Sequence, residues 1–200
     1  MAHEAGLGRP LGRNERDTRR FCRHHGWVSI TRLVTLKDAP ALAELLRASR
    51  DFLAPWDPVR SDDYFTAVGQ LAVIRGALAQ HEEGSALPHV ILDGSGRVAG
   101  RITLNSIVRG PFQSCSVGYW VSVTAAGRGL GSAAVRDILR VAFEELGLHR
   151  VQAETLLHNV RSQRVLKRNG FRRIGMAPAY LNIAGQWQDH ILYQVINDDS

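Results

Sequence analysis

Three closely spaced glycines at the junction of a predicted strand and a predicted helix constrain the fold of this chain most. They lie in "VSVTAAGRGLGSAAVRD", residues 121–137, where a β-rich run gives way to strong helix formers. Glycine at such a junction lets the backbone come close to a ligand, and the first N–H groups of the helix point outward, where they favour negative charge. The stretch therefore predicts a strand, a phosphate-binding turn and a helix, in that order.

The residues around this turn argue against the two commonest phosphate-binding motifs. A nucleotide-binding P-loop has a lysine directly after its last glycine, whereas Gly131 is followed by Ser132. The dinucleotide motif opens the first β-α unit of a parallel sheet, whereas this turn comes late in the chain. A pyrophosphate within a larger cofactor, held by backbone N–H groups without a metal, fits the turn better.

Periodicity along the chain predicts an α/β fold with the element order β, α, α, β, β, β, α, β, α, β, β. Asp38 is predicted to cap the first helix and Asn159 the last. Ser61 or Asp62 is predicted to cap the second helix. A β-α-β unit over residues 117–156 requires one parallel strand pair. The other strands then form a largely antiparallel sheet, and the whole mixed sheet is flanked by helices.

The length suits one domain, which we assign to residues 27–200, after a basic and disordered extension at residues 1–26. We expect a cytoplasmic protein, because no segment is apolar enough to span a membrane and no signal-peptide core follows the first arginines. Two cysteines do not suggest a disulfide framework. Cys22, His24 and His25 lack a closing fourth ligand, so we expect no metal site.

The net charge of +6 raises the question of nucleic-acid binding. Half of that excess lies in residues 1–27, which carry six arginines against three acids. Residues 161–173 concentrate further basic side chains without an acid, and so local a cluster suits one anionic group better than a long polyanion. These residues also lack interleaved aromatic side chains for base stacking, so a nucleic-acid partner is the least favoured class.

Several short motifs together resemble the GNAT superfamily of N-acetyltransferases, in the branch of the ribosomal-protein-serine/alanine N-terminal acetyltransferases. The acetyl-CoA signature of that family is Gln or Arg, two residues, Gly, one residue, then Gly or Ala. "AGRGLG" at 126–131 matches it except at Ala126. The other matching blocks are "GYW" at 118–120, "LGLHRV" at 146–151, Asn159 with Ser162, "LKRNGF" at 166–171 and "WQDHILY" at 187–193.

The resemblance implies transfer of an acetyl group from acetyl-CoA to a primary amine. Asn159 and Ser162 are the implied catalytic pair, Asn159 on the pantetheine arm and Ser162 as proton donor to the sulfur. Arg128, Arg164, Lys167 and Arg168 are candidates for the 3′-phosphate. The implied cofactor-binding residues are Val121, Val123, Ala126, Gly127, Arg128, Gly129, Leu130, Gly131, Ser132, Asn159, Arg164 and Lys167.

The acceptor side is less constrained by the sequence. Trp56, Asp189 and Tyr193 are candidate substrate-binding residues. Related sequences often carry Glu where Ser116 stands, so the general base remains open. The candidates for it are Asp189, His190, His158 and Glu154.

The sequence leaves three kinds of function open on the acceptor side. An α-amine has a pKa near 8, against about 10.4 for lysine, which favours a protein or peptide N-terminus. A small amine such as an antibiotic or polyamine is the alternative acceptor, and a non-catalytic acyl-CoA-binding module is the alternative function. Because related proteins are often dimers, a homodimer is also considered.

Overall fold

A seven-stranded mixed sheet forms the centre of the protein, and the computed structural model describes residues 29–197 of the chain. The strand order is β1-β2-β3-β4-β5-β7-β6, and the β4–β5 pair is parallel while the other pairs are antiparallel. This arrangement confirms the predicted fold class. The strands are β1 Thr31–Leu33, β2 Leu87–Leu92, β3 Val98–Val108, β4 Ser114–Val121, β5 Arg150–Leu156, β6 Arg172–Ile183 and β7 Gln186–Ile196.

Helices cover both faces of this sheet. They are α1 Ala39–Ala48, α2 Arg50–Leu53, α3 Ala67–Glu82, α4 Leu130–Arg140 and α5 Val160–Arg168. A core cluster joins α4 and α5 to one face, which we call the α4/α5 face. A smaller cluster joins α1 and α3 to the other, the α1/α3 face. The predicted extension and the cysteine–histidine group at 22–25 fall outside the described residues.

The helix starts follow local capping, although not always at the predicted residue. Asn159 caps α5 as predicted, with its Oδ1 accepting the N–H of Ser162 at 3.1 Å. The prediction that Ser61 or Asp62 caps the second long helix was wrong. Residues 62–65 form a separate 3₁₀ turn, and α3 begins after Thr66, whose Oγ1 accepts the N–H of Gly69 at 3.0 Å.

Asp38 precedes α1 as predicted, but its carboxylate does not cap the helix. It accepts hydrogen bonds from Arg32 at 2.7 and 2.8 Å and from the Thr35 N–H at 2.8 Å. The side chain therefore ties the end of β1 to the start of α1.

Buried Asp137 fixes the start of β1 against α4. Its Oδ2 accepts hydrogen bonds from the Ser29 hydroxyl, the Ile30 and Thr31 N–H groups and the Thr31 hydroxyl, at 2.6–3.1 Å. These contacts satisfy much of a carboxylate that would otherwise be costly to bury. The helix that carries the glycine turn is thus anchored to the far edge of the sheet.

Neither a membrane span nor a metal site is found in the part of the chain that the structure describes. No helix within residues 29–197 is both long and apolar enough to cross a bilayer. No group of three or more His, Cys, Asp or Glu side chains in that range could hold a metal ion.

Candidate active site

The central feature of the candidate site is an opening in the sheet between β4 and β5. The two strands pair over Ser114–Ser116 and Arg150–Gln152. Beyond that point β4 continues beside β3 to Val121, and β5 continues beside β7 to Leu156. Backbone N–H and C=O groups on the facing edges then lack a strand partner, so an extended ligand can enter and bind them. We call this opening the β4–β5 gap.

The glycine turn lies directly after β4, at the start of α4. Gly127 and Gly129 have φ angles of 77° and 80°, a left-handed conformation that glycine adopts without steric cost. A Cβ built on either residue would meet no atom of the described residues within 4 Å. Gly129 is the N-cap of α4, and its carbonyl accepts the N–H of Ala133 at 3.1 Å.

The N–H groups of Leu130, Gly131 and Ser132 precede the first hydrogen bond of the helical ladder. They are therefore available at the positive end of the helix dipole. An open cleft of about 820 Å³ adjoins the turn on the side of α1, and it is lined by Glu44 and Asp93 as well as by Arg97 and Arg128. The backbone donors, which the sequence predicts, suit an anion such as the pyrophosphate of CoA.

Helix α5 packs beside the glycine turn and closes one side of the site. The side chains of Val121 and Val165 lie 3.7 and 3.9 Å from where a Cβ on Gly131 would stand. The Asn169 amide donates to the Ser132 hydroxyl at 3.4 Å. A ligand bound at the turn would therefore lie between α4 and α5. The basic candidates Arg128, Arg164, Lys167 and Arg168 are all exposed.

Ser162 lies on the first turn of α5, facing β4. Its hydroxyl makes a hydrogen bond of 2.9 Å with the phenol of Tyr119, which projects from β4 onto the α4/α5 face. Burial raises the pKa of Tyr119 to about 12, although the hydrogen bond with Ser162 opposes that shift. The phenol therefore stays protonated and can supply a proton to the Ser162 hydroxyl.

Tyr119 was not assigned a role from the sequence, although it lies in the "GYW" block. Strand alternation was the available signal, because Tyr119 and Val121 share a face and Val121 was already a candidate. That signal identifies a face of the strand. It does not identify Ser162, 43 residues away, as the partner of the phenol.

Two cofactor candidates, Asn159 and Val123, already have internal hydrogen-bond partners. The Asn159 Oδ1 caps α5, which leaves its Nδ2 as the donor for a ligand. The Val123 N–H donates to the hydroxyl of buried Ser49 at 3.1 Å. That N–H is therefore committed to α1, and the carbonyl of Val123 is the group that a ligand could use.

On the acceptor side, the segment after α1 passes over to the β6–β7 turn. The Asp57 carbonyl accepts the N–H of Ala184 at 3.0 Å. The half-buried Trp56 ring lies 5.3 Å from the ring of His158, at the end of β5. A cleft of about 280 Å³ lies beneath this segment. Trp56 is thus placed between the helical segment and the strand that borders the β4–β5 gap.

The two other acceptor candidates have structural partners. Tyr193 is 2% exposed and packs in the core of the α4/α5 face, so the structure gives it a packing role in place of the predicted acceptor contact. Asp189 accepts the N–H of Ala179 at 2.8 Å. Ala179 has a φ of 45°, and it lies in an irregular part of β6 between Ala177 and Leu181. Asp189 therefore stabilises a strained bulge beside Tyr180.

Arg101 places on the α1/α3 face a positive charge that has no ion-pair partner among residues 29–197. It lies opposite Val90 and Trp120 in the sheet, and its buried Nε has no hydrogen-bond partner among the described residues. Burial lowers its pKa, Tyr64 opposes that shift, and the nearby charge of Arg60 adds to it. The positive charge of Arg101 opposes acceptors that carry several cationic groups.

Comparisons with known proteins bear on the family and the fold. A family model described as an acetyltransferase (GNAT) domain matches residues 30–172, which include the glycine turn and α5. The ribosomal protein uS5-alanine N-acetyltransferase of Escherichia coli (strain K12) is 34% identical over 171 residues, 85% of this chain and 88% of that relative.

Two solved structures share the fold over most of their length. Ribosomal-protein-S5-alanine acetyltransferase from Vibrio fischeri has a TM-score of 0.80 at 34% identity, covering 84% of this chain and 93% of that one. RimJ from Mycobacterium smegmatis, in complex with CoA-disulfide, has a TM-score of 0.81 at 30% identity, covering 84% of this chain and 82% of that one.

Proposed function

The chain belongs to the acetyltransferase (GNAT) family, and we propose that its acceptor is the α-amine at the N-terminus of a protein. As a member it is an acetyl-CoA-dependent N-acetyltransferase. The observation that carries the acceptor proposal is the 34% identity, over 85% of this chain, with an enzyme named for N-acetylation of alanine on a ribosomal protein.

The site residues support the transfer chemistry in two ways. The backbone N–H groups at Gly129 to Ser132 bind the pyrophosphate and hold the long cosubstrate in the β4–β5 gap. Bound acetyl-CoA supplies the thioester carbonyl that the amine attacks. Ser162, hydrogen-bonded to Tyr119 at 2.9 Å, donates a proton to the departing sulfur.

The acceptor side favours a monocationic α-amine over the alternatives. An α-amine with a pKa near 8 loses its proton at neutral pH far more readily than a lysine side chain near 10.4. The positive charge of Arg101 on the α1/α3 face repels the several ammonium groups of a polyamine more strongly than a single α-ammonium. A non-catalytic module would have no use for the proton-donating pair of Ser162 and Tyr119.

A panel of acceptors with released CoA as readout tests this proposal. We expect hexapeptides with a free N-terminal alanine or serine to be acetylated, with the product mass and its fragments placing the acetyl group on the α-nitrogen. The same peptides with a blocked N-terminus and an internal lysine are the matched control. Preferential acetylation of spermidine, of an aminoglycoside or of the lysine peptide would overturn the proposal, as would acetyl-CoA binding without transfer to any amine.

A further inference from the structure

We propose that Glu154 is the general base that takes the proton from the acceptor amine, an inference that rests on the proposed acetyl transfer. Neither Ser116 nor the glycine turn supplies a base, because a serine hydroxyl does not ionise near neutral pH. Four side chains are candidates for this task, and their positions separate them.

The sheet register places Glu154 beside the β4–β5 gap. Ser116 and Gln152 form the last parallel pair, so Gly118 and Glu154 lie two residues further along the two diverging strands, on the same face. Gly118 is exposed, and a Cβ built there would have one neighbour among the described residues, the Asn105 amide at 3.5 Å. The absent side chain of Gly118 therefore leaves room for an amine opposite the Glu154 carboxylate.

Strand alternation puts Glu154 on the opposite face from the proton donor. Val151 and Ala153 point into the core of the α4/α5 face, the face that also carries Tyr119. Glu154 lies between Ala153 and Thr155 in the same strand, so it projects toward the other face. An amine that approaches from the α1/α3 side thus meets Glu154, while the sulfur meets Ser162 from the α4/α5 side.

The surroundings of Glu154 suit a base that works near neutral pH. Its carboxylate has no hydrogen bond or ion pair with another side chain among residues 29–197, and burial raises its pKa. Burial raises the pKa of Tyr180, and the negative charge of Glu154 raises it further. Tyr180 in turn contacts the His190 ring at 5.7 Å. The neighbours of Glu154 on β4 and β7, Ser116, Gly118 and Leu192, are uncharged.

The three other candidates for the general base either make hydrogen bonds within the fold or lie beyond the end of β5. His190 is 3% exposed, and its Nδ1 bonds the Gln188 carbonyl at 2.9 Å. Asp189 holds the Ala179 N–H, as described above. His158 is exposed and follows the end of β5, where it contacts Trp56. His158 is therefore the most exposed of the three rivals, and it serves as the comparison.

The acceptor nitrogen loses two protons while it gains one acetyl group. The ammonium form of the acceptor gives one proton to the Glu154 carboxylate, and Glu154 later releases it to water. The neutral amine forms the C–N bond to the thioester carbonyl, and the C–S bond breaks. The nitrogen gives its second proton to water as the C–S bond breaks. Ser162 gives its proton to the sulfur and regains one from water, so the net release is one proton per turnover.

The test is the pH dependence of kcat/KM for Glu154→Gln, with an N-terminal alanine hexapeptide as acceptor and His158→Gln as the matched control. In the wild type, kcat/KM should fall at low pH as Glu154 becomes protonated. The Glu154→Gln enzyme should lose about 100-fold at pH 7. The ratio of wild-type to variant kcat/KM should become smaller above pH 9, because most of the α-amine is already neutral there. Acetyl-CoA affinity by isothermal titration should stay unchanged.

Each other outcome overturns a specific claim. A Glu154→Gln enzyme that keeps the wild-type profile within about threefold, or that loses the same factor at every pH, excludes Glu154 as the base. Loss of the acidic limb in His158→Gln instead would assign the role to His158. If the wild type acetylates no amine at all, the proposed function itself fails, which is a different result from a normal wild type with an unaffected Glu154→Gln variant.

Discussion

Replacing Gly129 with alanine separates the binding role of the turn from its conformational role. Gly129 has a φ of 80°, so any L-residue there is strained even though a Cβ meets no described atom within 4 Å. The added methyl group would project from the N-cap of α4, where we propose that the pyrophosphate binds. The substitution therefore has two costs, one in the free energy of unfolding and one in acetyl-CoA affinity.

Both costs follow from the structure. A left-handed alanine costs about 1–2 kcal/mol. For a chain of this length each kilocalorie lowers Tm by about 2–4 °C. Losing one charge-assisted hydrogen bond to the pyrophosphate costs about 1.5–3 kcal/mol. We therefore expect the Kd for acetyl-CoA to rise by about 10- to 150-fold, since 1.4 kcal/mol corresponds to a factor of ten.

Gly84→Ala is the matched control for this experiment. Gly84 has a φ of 75°, and a Cβ there also meets no described atom within 4 Å, but the residue follows α3, away from the glycine turn. Thermal unfolding should show similar losses in both variants, and isothermal titration should show weaker acetyl-CoA binding in Gly129→Ala alone. Equal affinity in the two variants would refute the assignment of the turn as the pyrophosphate site.

Three further predictions test other parts of the site and the fold. Ser162→Ala should lower kcat by about 100-fold and Tyr119→Phe by about tenfold, because both support one proton transfer. For the same reason, kcat of the double variant in steady-state assays should be no lower than kcat of Ser162→Ala alone. If the two losses in free energy added, the two residues would act independently. Ala126→Gln should change the KM for acetyl-CoA by less than roughly threefold, since the backbone donors are unaltered; a larger change would mean that the side chain takes part. Burial lowers the pKa of His89 to about 4, so below pH 6.5 the unfolded state binds a proton that the folded state refuses. The free energy of unfolding should therefore fall by about 1.4 kcal/mol per pH unit from pH 6.5 toward pH 4, and urea titrations of His89→Gln should show a shallower slope.

Short-range patterns in the sequence were enough for much of the fold. The glycine turn requires a positive φ within a few residues, so its composition predicts it directly. The Asn159 cap joins groups three residues apart, and the alternation of β4 and β5 comes from neighbouring residues. The order of strands and helices then limits the connections to a few, which is why the single parallel pair could be predicted.

The contacts that the sequence could not predict join distant parts of the chain. Ser162 meets Tyr119 across 43 residues, and Ser49 takes the Val123 N–H across 74. The cap of α3 lies at Thr66 because residues 62–65 form a separate turn and do not join the helix. That turn packs against α1 and α3, so tertiary contacts decide where the helix begins.

By itself, the sequence determined the turn, the fold class and the family, because each depends on local geometry or on a pattern of short motifs. Whether a polar residue became a site residue or a packed one was decided by tertiary structure. Glu154 lies on β5 beside the gap and Tyr193 on the neighbouring β7, yet Tyr193 faces the core and Glu154 the opposite side of the sheet. That difference depends on strand register, since a shift of one residue would exchange their faces.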